Sequence, residues 1–146
     1  MDIALVYASR RGSTAEIAAD IAATLERGGH TVLLENVNSP AAVDQCRRAG
    51  GVVLGSAVYL EEWMPEMQHF VRDNPEVLVD KKLAIFSVGI TGDEPDLPAD
   101  FDAEVEALFK GRLEDNGEWE PSMAGDHRDW TAIKDFAREV REKFDA

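Results

Sequence analysis

The segment "SRRGST", Ser9 to Thr14, brings the hydroxyls of Ser9, Ser13 and Thr14, the guanidinium groups of Arg10 and Arg11, and Gly12 into six consecutive positions ahead of an alanine-rich helical stretch. Backbone N–H groups at a helix start have no partner within the helix, and the helix dipole favours an anion there. Hydroxyls add donors, arginines add charge, and Gly12 lets the backbone turn tightly. The chemistry this junction offers is the binding of a phosphate. The simpler reading is that Ser13 or Thr14 merely caps the helix, with Glu16 in support. A cap accounts for one hydroxyl; it does not call for three hydroxyls, a glycine and two arginines. A Walker loop would need a lysine after its second glycine, and a dinucleotide fingerprint would need further glycines, so a mononucleotide with a terminal phosphate fits best.

Two other segments could face the same ligand. "GSAVYLEEWMPEM", residues 55 to 67, follows a strand and exposes Tyr59 and Trp63, four positions apart, before a helix at Pro65. Rim packing is the commoner fate of such residues. The functional alternative is a flat plate for an aromatic ring. In "VGITGD", Val88 to Asp93, Gly89 and Gly92 flank Ile90 and Thr91, and such a loop can bring backbone amides close to a planar heterocycle. No catalytic group and no metal site is expected. His30, His69 and His127 are scattered, and Cys46 has no Cys or His at ligand spacing and no partner for an internal disulfide.

These loops need a scaffold, and the hydrophobic pattern supplies one. Ile3–Tyr7, Val32–Leu34, Val52–Leu54 ending at Gly55, and Leu83–Val88 read as short buried strands, with "LFKGRL" as a possible fifth broken at Gly111. Helices are expected over Thr14–Arg27, Ala41–Arg48, Pro65–Asn74, Phe101–Leu108, and from Asp129 or Trp130 to Phe144, with Cys46 partly buried on the second. "EDNGEWEPSMAGDHR" has no period and reads as an irregular excursion. Apolar strands that alternate with helices predict an α/β domain spanning residues 1–146, its parallel sheet covered on both faces. In such a sheet ligands bind beyond the carboxyl ends of the strands, where all three loops would lie.

Composition narrows the partners. With 29 acidic and 15 basic residues the net charge is −14, and residues 93–146 alone hold 17 acids against 7 bases. Nucleic acid and anionic membrane surfaces are therefore poor partners. Solvated surface charge, with adaptation to high salt, explains the excess more simply than an acidic docking face. No apolar run reaches the roughly 20 residues of a membrane span, and the N-terminus lacks the features of a secretory leader, so the expected location is the cytoplasm. Phospho-signalling is disfavoured: Ser9-Arg10 and Gly55-Ser56 stand where a receiver domain would carry acids.

In their order and spacing the three loops resemble those of flavodoxins and related FMN-binding domains, over essentially the whole chain. "YASRRGSTAEIA", "VVLGSAVY", "FSVG" and "DHRDWTAIKDFAREV" are most similar to the flavodoxin-domain group that includes the protoporphyrinogen-oxidising dehydrogenases. The resemblance implies a flavodoxin-like, doubly wound five-stranded parallel sheet with helices on both faces, and FMN as cofactor. It assigns phosphate contacts to Ser9, Arg11, Gly12, Ser13 and Thr14, with Arg10 in the same loop, and ring contacts to Ala57, Val58, Tyr59 and Trp63. Val88, Gly89, Ile90, Thr91, Gly92 and Asp93 would complete the pocket. The two arginines depart from the Thr-, Gly- and Asn-rich loop usual in flavodoxins. The function so implied is an electron carrier or small oxidoreductase serving redox partner proteins, in which the flavin does the chemistry. Two alternatives stand beside it. One is a porphyrinogen-oxidising dehydrogenase with a quinone acceptor, whose relatives carry a longer insertion near the final strand. The other is a flavin-free binding or regulatory domain.

Overall fold

The computed structural model describes residues 1–90, 93–113 and 125–146. Among them the chain runs β1 (Asp2–Ala8), α1 (Ser13–Arg27), β2 (Thr31–Asn36), α2 (Ala42–Arg48), β3 (Gly51–Tyr59), β4 (Glu62–Trp63) and α3 (Pro65–Asp73). After a 3₁₀ turn at Pro75–Leu78 follow β5 (Lys82–Gly89), β6 (Val105–Lys110), β7 (Arg112–Leu113), β8 (Gly125–Asp126) and α4 (Trp130–Asp145). Five strands pair in parallel in the order β2-β1-β3-β5-β6, and β4 adds an antiparallel finger to the end of β3. The doubly wound arrangement expected from the sequence is the one observed.

Both faces of the sheet are buried, and strand alternation divides the side chains between them. Ile3 and Leu5 of β1 pack with Val53, Phe86 and Phe109 beneath α1 and α4. Their neighbours Ala4 and Val6 pack with Val52, Leu54 and Ile85 beneath α2 and α3. Consecutive lysines at the start of β5 use the same alternation. Lys81 Nζ donates to the carbonyls of Arg47, at 2.8 Å, and Ala49 at the end of α2, while Lys82 Nζ donates to Phe144 O at 2.9 Å at the end of α4. Each cation thus satisfies carbonyls that a helix end leaves without partners. Cys46, also on α2, is fully buried, and desolvation pushes its thiol up to about 11.

Several local expectations are corrected. No helix covers Phe101–Leu108; the last sheet strand occupies Val105–Lys110 instead. Val105 and Phe109 turn inward between the exposed Glu106 and Lys110, and pairing with β5 satisfies a sheet edge that a helix would leave open. Gly111 ends that strand rather than interrupting it. The excursion beginning at Glu114 lies outside the described residues as far as position 124.

Gly55 does not end β3. It sits mid-strand opposite Phe86, where a Cβ would come within 2.0 Å of the Phe86 ring. That ring is the hub of an aromatic cluster with Phe109 and Phe136, at centroid distances of 6.1 and 5.9 Å. The glycine makes room for it. Beyond Gly55 the strand continues to Tyr59, and Leu60 and Glu61, both at positive φ (51° and 67°), turn the chain back into β4. Two such residues match the right-handed twist of a tight hairpin.

The hairpin decides the fate of Trp63, expected at the surface and found 1% exposed. Pairing of Trp63 with Val58 aims its indole into the α3 side of the core, where Nε1 donates to Ser87 Oγ at 2.8 Å and the ring stacks on Phe101 at 5.5 Å. It offers no open face to a planar ligand.

Stability measurements on three variants check this packing. Gly55→Ala is expected to cost about 1–3 kcal/mol in urea denaturation, because Phe86 must leave its rotamer. Gly50→Ala, whose nearest contact would be an ordinary 3.7 Å, should change stability by less than about 0.5 kcal/mol. Trp63→Phe, which strands the buried Ser87 hydroxyl, is expected to cost about 1–3 kcal/mol in the same assay.

Candidate functional site

The sheet reverses direction of winding between β1 and β3, and a cleft opens there beyond the carboxyl ends of the strands. The cleft is open at its mouth, and its empty volume of about 530 Å³ includes that open solvent. One wall is the junction of β1 and α1. Gly12, at φ +90°, is the residue before the helix, a conformation that favours glycine, and its N–H donates to Ser9 Oγ at 3.0 Å. Ser9, Arg10, Arg11, Ser13 and Thr14 all line the cleft from this wall.

The capping alternative is not what the side chains do. Among the described residues no side chain caps α1: Ser13 Oγ instead accepts the Arg112 N–H at 3.0 Å, and Thr14 is buried. By contrast α4 has the expected cap, with Asp129 accepting from the Ala132 N–H.

The middle of the cleft is apolar, formed by Ala57 and Val58 from the end of β3 and by Val88 and Ile90 around Gly89. Tyr59 closes this part, exposed at the lip, with the Arg10 guanidinium stacked 4.0 Å from its ring centroid. A second cavity continues past Tyr59 and is lined by Leu60, Glu61, Asp93 and Glu94. The two ends therefore differ in charge, with arginines and hydroxyls beside α1 and carboxylates beyond Tyr59.

Of the residues expected at the site, Trp63 is the one the fold removes to the core, Gly12 shapes the loop from behind, and Asp93 stands in the adjoining cavity rather than the cleft. Thr91 and Gly92 lie outside the described residues. Gly111 and Arg112 line the cleft although no motif marks them. A glycine at the end of an edge strand was their one signal: a Cβ at Gly111 would press to 3.0 Å from Ser13 Oγ and Val88 Cγ1.

The rim beside α1 is held by an ion network. The Arg128 guanidinium, 6% exposed, donates to Asp126 Oδ1 at 2.8 Å and Oδ2 at 2.6 Å, and to Glu16 in the first turn of α1. It also lies 4.7 Å over the Trp130 ring at the start of α4. Hydrogen bonds from Arg128 hold the carboxyls of Asp126 and Glu16 below their usual range, and those to Asp126 and Glu16 raise Arg128 in turn. His127 N–H donates to Gly111 O at 3.2 Å, so the short β7–β8 pair is fastened to the cleft wall.

The flavodoxin domain family profile matches residues 4–125. No curated protein matches the chain significantly. Among solved structures, a flavodoxin from the domain Archaea is similar at 18% identity and TM-score 0.69, with each chain covered to 100%. The oxidised flavodoxin 1 of Bacillus cereus is similar at 14% identity and TM-score 0.69, covering 97% of this chain and 98% of that one. The rubredoxin oxygen:oxidoreductase of Desulfovibrio gigas matches at 16% identity and TM-score 0.69, where 99% of this chain covers 36% of that one. Identities this low speak for the fold alone; together with the family match over most of the sequence, they lead to one statement of kinship. The chain belongs to the flavodoxin domain family.

Proposed function

We propose that this protein binds FMN in the cleft between β1 and β3 and acts as an electron-transfer protein. The observation that carries the reading is the character of that cleft: hydroxyls and arginines beside the start of α1, an apolar middle, and an exposed tyrosine at the lip. A phosphorylated ligand with an aromatic ring matches this sequence of surfaces from end to end. Ser9, Ser13 and Thr14 would serve the phosphate with the arginines of the loop, and Ala57, Val58, Val88 and Ile90 would exclude water from the ring. Tyr59 would give the ring its aromatic neighbour.

Bound FMN supplies reversible uptake and release of electrons. The chain's part is to hold the cofactor, set its surroundings and limit access to it. Glu61, Asp93 and Glu94 stand beyond Tyr59, at the end where the ring would lie. Negative charge near a group that gains electrons makes the gain less favourable. Exchange with redox partner proteins follows from the same reading. Among the described residues no helix is long and apolar enough to cross a membrane.

Titration of the purified chain with FMN, followed by quenching of flavin fluorescence, is the direct test. Saturable binding at one site supports the proposal, and a chain that never quenches the flavin overturns it. Tyr59→Ala should weaken binding about 3- to 10-fold, whereas Gly50→Ala, just before β3 at the end opposite the cleft, should leave it within about threefold. Potentiometry of the complex should place its most reducing couple below that of free FMN, and a couple well above would refute the electrostatic argument. The finer likeness to porphyrinogen-oxidising dehydrogenases is tested by supplying protoporphyrinogen with a quinone acceptor; turnover would make the protein an enzyme of that group, and its absence leaves a carrier.

A further inference from the structure

Arg112 stands in the cleft from the opposite side of the chain to the β1–α1 loop. β6 ends at Lys110, and the Gly111 N–H donates to Gly89 O at 3.1 Å, which carries the pairing with β5 one residue further, to a point beside Ser13 at the start of α1. The glycine eases that approach, since a Cβ at Gly111 would meet Ser13 Oγ at 3.0 Å and the neighbour would have to give by a few tenths of an ångström. The next N–H, that of Arg112, donates to the same hydroxyl at 3.0 Å. A serine hydroxyl that accepts this bond still has its own proton to donate. The Arg112 side chain therefore leaves the backbone beside a hydroxyl oriented by Arg112 itself.

Its charge is engaged at longer range than that of Arg128. Arg112 Nη2 lies 3.7 Å from Glu16 Oε1, too far for a hydrogen bond, while Glu16 Oε2 receives a direct bond from Arg128. Arg128 is shared between Glu16 and Asp126, and Arg112 supplies the second positive charge beside these two carboxylates, at longer range. Arg10 is engaged with the Tyr59 ring. The Arg112 side chain is 35% exposed, less screened than a fully solvated cation, and a guanidinium presents paired donors that match phosphate oxygens.

We propose that Arg112 is the phosphate-selecting residue of the cleft, pairing with the terminal phosphate of the bound mononucleotide and thereby setting its preference for FMN over riboflavin. This rests on the flavin reading above and adds to it the residue that discriminates the phosphorylated ligand. The role differs from that of a strut. A strut between the β6 end and α1 would support both flavins equally, whereas a phosphate partner acts on one of them.

The experiment compares FMN and riboflavin affinities, by fluorescence quenching, for the wild-type chain, Arg112→Met and Arg112→Lys. Both substitutions keep the backbone N–H that binds Ser13, so they isolate the guanidinium. Arg112→Met should weaken FMN about 10- to 100-fold, the worth of a charge-assisted hydrogen bond, and leave riboflavin within about threefold. Arg112→Lys should fall between, and it decides the matter should the Met variant fold poorly by circular dichroism. Unchanged FMN affinity in both variants, or equal losses for the two flavins, overturns the assignment while the flavin reading stands. A wild-type chain that binds the two flavins equally also overturns it alone. A wild-type chain that binds neither overturns both.

Discussion

The carboxyl edge depends on one constraint: β1 and β3 are neighbours in the sheet, yet the chain leaves them on opposite faces. α1 departs from β1 over the face that also carries α4, and β4 with α3 departs from β3 over the other. Backbones that diverge in this way cannot fill the space between them, so a crevice forms at the strand ends. What lines it is then a matter of which residues occupy the last turn of each strand. Here these are a hydroxyl and arginine loop on one side and Ala57, Val58 and Tyr59 on the other.

Space in the sheet is apportioned by the absence of side chains at two positions. Gly55 yields its place to Phe86, which joins the faces of β5, β6 and α4 into one aromatic cluster. Gly111 yields its place to Ser13 and Val88, which lets the end of the edge strand reach the start of α1. The first glycine serves packing and the second serves the site. Neither is needed for an unusual backbone angle, in contrast to Gly12, whose left-handed conformation aims its N–H at Ser9.

Charge is organised on the same plan. The chain is strongly acidic overall, but arginines gather where the cleft meets α1, and each has different work. Arg10 covers Tyr59, Arg112 binds Ser13 through its backbone, and Arg128 joins β8, α4 and α1 by satisfying Asp126 and Glu16 together. The Arg128 side chain is largely covered while Asp126 and Glu16 stay about half exposed, so solvent still screens these bonds in part. The network ties β8 and the start of α4 to the first turn of α1.

Continuously apolar strands between periodic helices made the doubly wound sheet legible from sequence, since burial on both faces imposes that pattern locally. The loop from Ser9 to Thr14 was legible for a similar reason, because a run of hydroxyls, arginines and a glycine is anomalous within six residues. Trp63 was not. An aromatic residue before a helix looks the same whether it lies at a rim or in a core, and only the two-residue turn at Leu60 and Glu61, with the register it sets, sends the indole to Ser87. Likewise, Val105 to Lys110 has residues that suit a helix, and the unpaired edge of β5 made it a strand. Arg112 stands 99 positions from the serine that its backbone binds. Local composition reports what a segment can do; contacts across the fold decide which partner it meets, because pairing and burial are satisfied by the whole sheet and not by the segment alone.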